Sequence, residues 1–261
     1  MQSLSAAPQN VFASVEFILT DLDDTVTFEG RLPAASYAAL EDLEAAGKHV
    51  VIVTGRPAGW CDLIARFFPV SAVVGENGAF YFRYDRITRT MHRVFQRNDA
   101  ERQADRLRLD ATTAAIVMRY PQVRLSADQG YRISDVAIDF CEDVPRLDDA
   151  VIADVVAMFE AAGATAKVSS IHVNAWIGDF SKLEMSLRLL SDVFDISPDD
   201  ALTKVLYIGD SPNDQPMFTY FRHTVGVANI APFVPQIQSL PAWITREPGG
   251  FGFAEVTAKF L

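Results

Sequence analysis

Three short, continuously apolar segments, separated by helix-length stretches, recur along this chain. VEFILT at residues 15–20, HVVIVT at 49–54 and KVLYIG at 204–209 have the composition of parallel strands that are buried on both faces. Between the first two, Pro33 suits the first turn of a helix and Gly47 suits its end. This strand–helix–strand unit predicts an α/β fold with a doubly wound, mainly parallel sheet.

The sequence pattern changes between residues 83 and 177. Polar and apolar residues alternate there in short segments, and helical patterns lie near residues 99–115 and 147–162. The first pattern returns after this region. A chain of 261 residues can hold one large domain with a smaller one inserted. We therefore predict a discontinuous core at 1–82 plus 178–261 and an inserted α+β domain at 83–177.

The charge balance limits the class of partner. The chain has 34 acidic and 23 basic residues, a net charge of −11, which repels phosphate backbones and anionic membranes. We expect a small ligand, and neither a nucleic acid nor a membrane. Cys61 and Cys141 form no CxxC motif, and the N-terminal segment lacks the features of a signal peptide. These features predict a cytoplasmic protein.

A reactive side chain follows each of the three apolar segments. Asp21 comes after the first, Thr54 ends the second, and Asp210 follows the third. Ligand groups gather at the carboxyl ends of strands in open parallel sheets, so these side chains should converge. Lys182 begins an amphipathic helix, with Ser181 as its N-cap, and a helix start of this kind suits a phosphate. The sequence predicts a phosphate site at one sheet edge.

The acidic residues of this predicted edge indicate a metal. Asp21, Asp23, Asp210 and Asp214 would repel one another around a phosphate, and Lys182 alone cannot neutralise them. A hard divalent cation would, and an all-oxygen ligand set favours Mg²⁺. One aspartate could then attack phosphorus while a second transfers the proton of the leaving group.

Four motifs in this order resemble those of the haloacid dehalogenase-like (HAD) superfamily of phosphohydrolases. They are DLDDT at 21–25, VIVTGRP at 51–57, FSKLEMSL at 180–187 and YIGDSPND at 207–214. VGENGAF at 74–80 and VGVAN at 225–229 resemble the type IIB branch, which includes the Cof-like and sucrose-phosphatase-like phosphatases and carries a cap domain between the second and third motifs. The resemblance implies a Rossmann-like core and makes the inserted domain a cap.

The resemblance also implies roles for the residues of the motifs. Asp21 would form an aspartyl-phosphate, and Asp23 would act as acid and base. The phosphoryl oxygens would be held by Thr54, Gly55 and Lys182.

The same resemblance implies a Mg²⁺ site. The ligands would be Asp21, the backbone carbonyl of Asp23, and Asp210, while Asp214 and Asn213 would orient water on the metal. Asp24 departs from the glycine that many members carry, and Asp tolerates left-handed backbone angles better than most residues. We therefore expect activity to be retained.

Four further residues are candidates for binding the substrate. Arg56 and Asn77 lie in the second motif and in VGENGAF, and His172 and Asn174 share one face of a predicted strand in the insert. For the last two, a purely structural pair is an equally good interpretation. Glycines 249, 250 and 252 match no dinucleotide fingerprint, and we assign them to a loop.

The sequence thus predicts a Mg²⁺-dependent phosphatase of the HAD type that hydrolyses a small phosphorylated metabolite, with sugar phosphates first among the candidates. A phosphosugar mutase similar to phosphomannomutases is the alternative, because it would share the nucleophile and the cap class. A phospho-receiver signalling module and a non-catalytic binding protein are weaker alternatives, since receivers are about half this length and a silent protein has little reason to keep every reactive residue.

Overall fold

The computed structural model of the protein describes residues 1–169 and 171–261. Within these residues the strands form a nine-stranded and a four-stranded sheet. The strands are β1 (Gln2–Ser3), β2 (Phe17–Thr20), β3 (His49–Val53), β4 (Ala72–Gly75), β5 (Phe80–Asp85), β6 (Thr90–Phe95), β7 (Arg124–Leu125), β8 (Val136–Asp139), β9 (Thr165–Val168), β10 (His172–Trp176), β11 (Val205–Gly209), β12 (His223–Gly226) and β13 (Trp243–Ile244).

Helices connect most of these strands. The α-helices are α1 (Ala34–Ala45), α2 (Ala58–Phe67), α3 (Asp99–Arg119), α4 (Asp149–Ala161), α5 (Lys182–Phe194), α6 (Pro198–Lys204), α7 (Gln215–Tyr220) and α8 (Gly249–Thr257). Short 3-10 helices occur at Leu4–Ala6, Glu76–Gly78, Gln129–Tyr131, Pro212–Asp214 and Ala228–Gln236. No helix in the described ranges combines the length and the apolar character that crossing a membrane requires.

The large sheet has the strand order β1-β13-β12-β11-β2-β3-β4-β5-β6. Its strands pair in parallel from β1 to β4, and β5 and β6 add an antiparallel edge. The three apolar segments of the sequence form β2, β3 and β11, and β2 lies between the other two. The prediction of an α/β fold with a doubly wound, mainly parallel sheet is confirmed.

Helices cover both faces of this sheet, which explains why its central strands are apolar throughout. On β2, Ile18 packs in a cluster with Leu40 of α1 and Phe253 of α8. The next residue, Leu19, packs on the opposite face in a cluster with Met185 of α5. Each such fully buried side chain stabilises the fold by about 1.5–3 kcal/mol. The two apolar layers therefore hold the carboxyl ends of the central strands in fixed positions.

The second sheet is antiparallel, with the order β7-β8-β10-β9. Ile116 of α3 and Phe159 of α4 pack with Val173 of β10 in a separate apolar cluster. Because side chains alternate along a strand, His172 and Asn174 face away from this cluster. The second sheet thus presents one polar face of β10 outside its own core.

The hairpin β5–β6 belongs to the large sheet. The sequence places residues 83–95 in the insert. In the structure β6 pairs with β5, and β5 pairs with β4 of the large sheet. Phe80, Phe82 and Phe95 pack on one another in the core of the large sheet. Alternating polar residues on the exposed part of this edge hairpin account for the insert-like pattern. The predicted cap at 83–177 stays a prediction.

The loop predicted for the C-terminal glycines is wrong, because α8 begins at Gly249. A Cβ atom on Gly250 would lie 1.9 Å from Ser36 Oγ, and one on Gly252 would lie 2.4 Å from the carbonyl oxygen of Glu247. These glycines are therefore small for reasons of packing, since Gly250 lets α8 approach α1 closely and Gly252 lets it lie against the segment that precedes it.

Candidate active site

The residues that follow β2, β3 and β11 meet at one edge of the large sheet. The backbone N–H of Asp21 donates to the carbonyl of Ile208 in β11, at 2.9 Å, and the N–H of Thr54 donates to the carbonyl of Val74 in β4, also at 2.9 Å. Asp210 lies directly after β11. Parallel pairing thus brings together the ends of the three strands for which the sequence predicts convergence.

Lys182 contacts two of the acids at this edge. Its Nζ lies 2.8 Å from Oδ1 of Asp21 and 3.3 Å from Oδ1 of Asp214. The predicted N-cap is present, because the hydroxyl of Ser181 accepts a hydrogen bond from the N–H of Glu184. Burial lowers the pKa of Lys182, but the carboxylates of Asp21 and Asp214 outweigh it and the net shift is upward. The ammonium group is therefore charged at neutral pH.

One lysine does not neutralise the cluster. Burial raises the pKa of Asp21 to about 7, with Lys182 opposing the shift and Asp214 adding to it. Burial, together with Asp214 and Asp21, raises the pKa of Asp210 well above its ordinary value. The protein alone thus makes full ionisation of these carboxylates unfavourable, and a bound cation would reverse that.

The geometry of the three carboxylates fits a metal ion. One oxygen atom from each of Asp21, Asp210 and Asp214 lies within 4.8 Å of the others. Asp214 accepts the most hydrogen bonds of the three. Its donors are Tyr207 Oη at 2.6 Å and the N–H groups of Asp210 and Ser211 at 3.0 and 3.2 Å, in addition to Lys182. Asp21 and Asp210 are thus the more open ligands.

Two side chains orient Asp210. Thr25 Oγ1 donates to its Oδ1 at 3.3 Å, and Asn229 Nδ2 donates to its Oδ2 at 3.2 Å. Asn229 also donates to the backbone carbonyl of Asp24 at 2.9 Å, so it joins the loops after β2 and β11. Asn229 is not among the residues predicted for the site, although its position in VGVAN after a predicted strand is a signal that could have assigned it.

Asp24 has the left-handed backbone conformation that its place in the motif requires. Its φ is +55°, and its N–H donates to the hydroxyl of Thr27 at 3.0 Å. Asp adopts this conformation more readily than most residues other than glycine. The exchange of glycine for Asp24 is therefore accommodated by the local backbone.

Asp23 pairs with Arg56. The Nε and Nη2 atoms of Arg56 lie 3.0–3.1 Å from the carboxylate oxygens of Asp23. Nη2 also donates to Oε1 of Glu142 at 2.9 Å, and the guanidinium lies 4.5 Å from the ring centre of Trp60. Arg56 thus connects the first motif to a residue of the insert. Glu142 is not predictable from the sequence, because nothing in its local sequence distinguishes it from other surface acids.

Thr54, Gly55 and Asn77 form the adjoining part of the edge. Asn77 has a φ of +58°, and its N–H donates to the carbonyl of Thr54 at 3.1 Å. Its Nδ2 is buried and has no hydrogen-bond partner among the described residues. A Cβ atom on Gly55 would lie 3.1 Å from Oδ1 of Asn77, so the absence of a side chain at position 55 leaves room for the amide of Asn77. The amide of Asn77 is therefore a donor available to a ligand.

The substrate candidates from the insert reach the same cleft. Asn174 Nδ2 donates to Oδ2 of Asp135 at 3.2 Å, and His172 Nε2 lies 2.8 Å from Oε2 of Glu142. Asn213 accepts from the hydroxyl of Ser211 at 2.9 Å. The cleft is lined by Asp21, Asp23, Gly55, Arg56, Asn77, Arg132, Ser169, Ile171, His172, Asn174, Asp210, Ser211 and Asn213.

A buried glutamate joins the insert to the large sheet. Glu76 is fully buried with a φ of +44°, and its carboxylate accepts hydrogen bonds from the N–H groups of Ala58, Ile133, Ser134 and Asp135 at 2.6–3.2 Å. The last three belong to the loop before β8. This role is not predictable from the sequence, since these three partners are more than fifty positions away.

Comparison with known proteins agrees with the resemblance of the motifs. Residues 18–117 match the sequence profile of the haloacid dehalogenase-like hydrolases. This match includes the first two motifs and agrees with the resemblance that the sequence predicts. No curated protein sequence matches the chain.

Solved structures share the fold over nearly the whole chain. A protein from Thermoplasma acidophilum is 19% identical, with a TM-score of 0.71 over 94% of this chain and 98% of its own. A sucrose-phosphatase from Synechocystis, solved with sucrose and phosphate, is 16% identical, with a TM-score of 0.64 over 94% and 97%. A haloalkanoate-superfamily phosphatase from Bacteroides thetaiotaomicron is 16% identical, with a TM-score of 0.63 over 99% of both chains.

Proposed function

We propose that the protein is a Mg²⁺-dependent phosphatase that hydrolyses a small phosphorylated metabolite through an aspartyl-phosphate. The observation that carries this proposal is the position of Lys182 Nζ, 2.8 Å from Oδ1 of Asp21, in a cluster with Asp210 and Asp214. The cluster thus contains a nucleophile, a cation for the phosphoryl oxygens and a set of oxygen ligands for a metal.

The chain supplies a nucleophile and a proton donor. An oxygen of Asp21 attacks phosphorus, and the bond from phosphorus to the leaving oxygen breaks as that oxygen takes a proton from Asp23. Water then attacks the phosphorus of the aspartyl-phosphate and gives a proton to Asp23, which releases inorganic phosphate and restores both carboxyl groups. Asp23 needs to turn from Arg56 towards the leaving oxygen for these transfers.

Fixed groups bind the transferred phosphoryl unit. We assign its oxygens to the ammonium of Lys182 at the start of α5, and to the hydroxyl of Thr54 and the N–H of Gly55, which follow β3. In the structure the Thr54 hydroxyl accepts a hydrogen bond from the N–H of Arg56 at 3.0 Å, so its own proton is available for a phosphoryl oxygen.

The carboxylate cluster is assigned to Mg²⁺. Asp21, Asp210 and the backbone carbonyl of Asp23 would hold it, and Asp214 and Asn213 would orient its water ligands. When bound, the ion neutralises charge on the phosphoryl oxygens. The all-oxygen donor set and the upward pKa shifts of Asp21 and Asp210 support this choice.

Sugar phosphates are the proposed substrate class. Two structures of this fold are named for such substrates, the sucrose-phosphatase and a protein related to trehalose-6-phosphate phosphatase, which is 13% identical with a TM-score of 0.62. The net charge of −11 argues against a nucleic acid as substrate. The sparse cysteines support a cytoplasmic location.

Phosphate release from a panel of phosphometabolites, with and without Mg²⁺, tests the proposal. We expect metal-dependent release that is lost in Asp21→Asn and kept in Asp148→Asn, which changes an exposed aspartate with no side-chain capping bond at the start of α4. Undiminished release by Asp21→Asn would reject the nucleophile. Conversion of a hexose 1-phosphate to its 6-phosphate, without phosphate release, would favour the mutase instead.

A further inference from the structure

Carboxylates neutralise both arginines that line the cleft. Arg132 is almost fully buried, and its Nε and Nη1 lie 3.1 and 3.0 Å from Oδ1 of Asp128 and Oδ1 of Asp135. Its Nη1 also donates to the carbonyl of Gly55 at 3.0 Å. These contacts occupy its donors and compensate its charge, so Arg132 offers no free cation to a ligand.

Arg56 is compensated by a residue of the insert. Besides its pairing with Asp23, its Nη2 lies 2.9 Å from Oε1 of Glu142. The other carboxylate oxygen of Glu142 lies 2.8 Å from Nε2 of His172, which also lines the cleft. His172 and Arg56 lower the pKa of Glu142 to about 2, although burial opposes the shift, so the carboxylate is ionised at neutral pH.

The described part of the insert also lines the cleft with the apolar Ile171 and with two polar side chains that are suited to hydroxyl groups. Ser169 and Asn174 come from the insert, and Asn77 adds its unpartnered Nδ2 from the large sheet. Hydroxyl and amide groups can both donate and accept, as the hydroxyls of a sugar require. Lys182 is engaged by Asp21 and Asp214, so no uncompensated ammonium or guanidinium among the described lining residues remains for a second anion.

We propose that Glu142 is a specificity-determining residue that restricts the substrate to one whose leaving group is neutral and rich in hydroxyls. The inference rests on the proposed phosphatase function. A second phosphate or a carboxylate on the leaving group would have to lose water beside Glu142 and Asp23 without gaining a free cation. The same charge balance disfavours a phosphosugar mutase, because a phosphorylated enzyme that binds a phosphosugar has to hold two phosphoryl groups at once.

Glu142→Gln tests this role, because it keeps the size of the side chain and removes one of the carboxylates around Arg56, leaving Asp23 and Asp128. We would measure kcat and KM for a hexose 6-phosphate and for the corresponding hexose 1,6-bisphosphate. The expected result is a rise of about tenfold in the ratio of kcat/KM for bisphosphate over monophosphate, mainly through a lower KM for the bisphosphate. Glu160→Gln, at an exposed position of α4, is the matched control and should leave the ratio unchanged.

Two results would overturn the inference. One is a wild-type enzyme that prefers the bisphosphate, and the other is a ratio in Glu142→Gln equal to that of the control. Using the ratio removes any general effect of the substitution on folding or on Asp23. Acetyl phosphate, which has no sugar to contact the insert, separates the two proposals. If wild type and both variants hydrolyse it with Mg²⁺, the phosphatase proposal stands and the substrate ratio alone decides the role of Glu142.

Discussion

Asp21 and Lys182 are 161 positions apart in the sequence, yet Nζ of Lys182 lies 2.8 Å from Oδ1 of Asp21. Both side chains are less than a tenth exposed. The contact depends on β2 and on the start of α5, which pack in one apolar cluster through Leu19 and Met185. The core of the large sheet thus sets the distance between the proposed nucleophile and the proposed phosphate ligand.

Lys182→Met should abolish most of the activity. The substitution removes the ammonium group that offsets charge on the phosphoryl oxygens, and losses of this kind are about 10²–10³-fold in kcat. Steady-state kinetics with a hexose 6-phosphate would measure the loss. Lys204→Met is the matched control, because Lys204 lies at the end of α6 and pairs with Glu16. Turnover of Lys182→Met within a few-fold of wild type would contradict the assigned role.

Binding of Mg²⁺ should strengthen as the pH rises. The pKa of Asp21 is raised from 3.8 to about 7 in the metal-free protein. The folded protein therefore binds the proton of the Asp21 carboxyl group more tightly than the unfolded protein does. The resulting contribution to stability is complete below pH 3.8 and is lost as the pH rises through about 7. Mg²⁺ binds the ionised carboxylate, and therefore has to displace that proton at low pH.

Thermal denaturation with and without Mg²⁺ at pH 5.5, 7 and 8.5 checks this linkage. We expect the increase in Tm on adding Mg²⁺ to be smallest at the lowest pH and largest at the highest. Asp210→Asn should reduce the increase at every pH, since it removes a proposed ligand. An increase that is the same at all three pH values would show that the ion does not compete with protons for these carboxylates.

Gly78→Ala should disturb the site from a distance. Gly78 has a φ of +105°, and a Cβ atom there would lie 2.1 Å from the carbonyl oxygen of Ser181, directly before Lys182. Backbone strain and the displaced start of α5 should cost about 1–3 kcal/mol of stability and lower kcat/KM. Urea denaturation and steady-state kinetics measure the two effects. Gly130→Ala, where a Cβ atom would meet nothing within 4 Å, should behave as wild type.

The parts of the site that sequence could predict are those fixed by parallel pairing. An apolar strand followed by a reactive residue can be recognised in the sequence. The rule that parallel strands end at one edge of the sheet then predicts that these residues lie close together. The ends of β2, β3 and β11 therefore lie side by side as expected, Asp21 and Asp210 lie together, and Lys182 follows from its helix start. Their catalytic roles stay predictions.

Contacts between the insert and the large sheet could not be predicted in this way. Glu142 reaches Arg56 across 86 positions, and no strand register or helix period relates the two. The same holds for Glu76 and the loop at Ile133 to Asp135, since a buried carboxylate that binds backbone N–H groups leaves no pattern in its partners. The glycines of α8 suggest a loop in the sequence, because close helix packing and chain flexibility favour the same residue.

Glu76→Gln should destabilise the protein more than a surface substitution does. Each carboxylate oxygen of Glu76 accepts at least two backbone N–H groups, from Ala58 and Ile133 on one side and from Ile133, Ser134 and Asp135 on the other. The amide nitrogen of glutamine cannot accept, so buried N–H groups would lose their partner and face another donor. We expect a loss of about 2–4 kcal/mol in the free energy of unfolding.

Urea denaturation of Glu76→Gln and of Glu160→Gln, an exposed glutamate of the insert, measures this difference directly. Because Glu76 holds the loop before β8 against the start of α2, proteolysis of that loop in the native state should also become faster in Glu76→Gln. If the two variants unfold at the same urea concentration, the carboxylate is not what joins the insert to the large sheet, and the apolar contacts between them are sufficient.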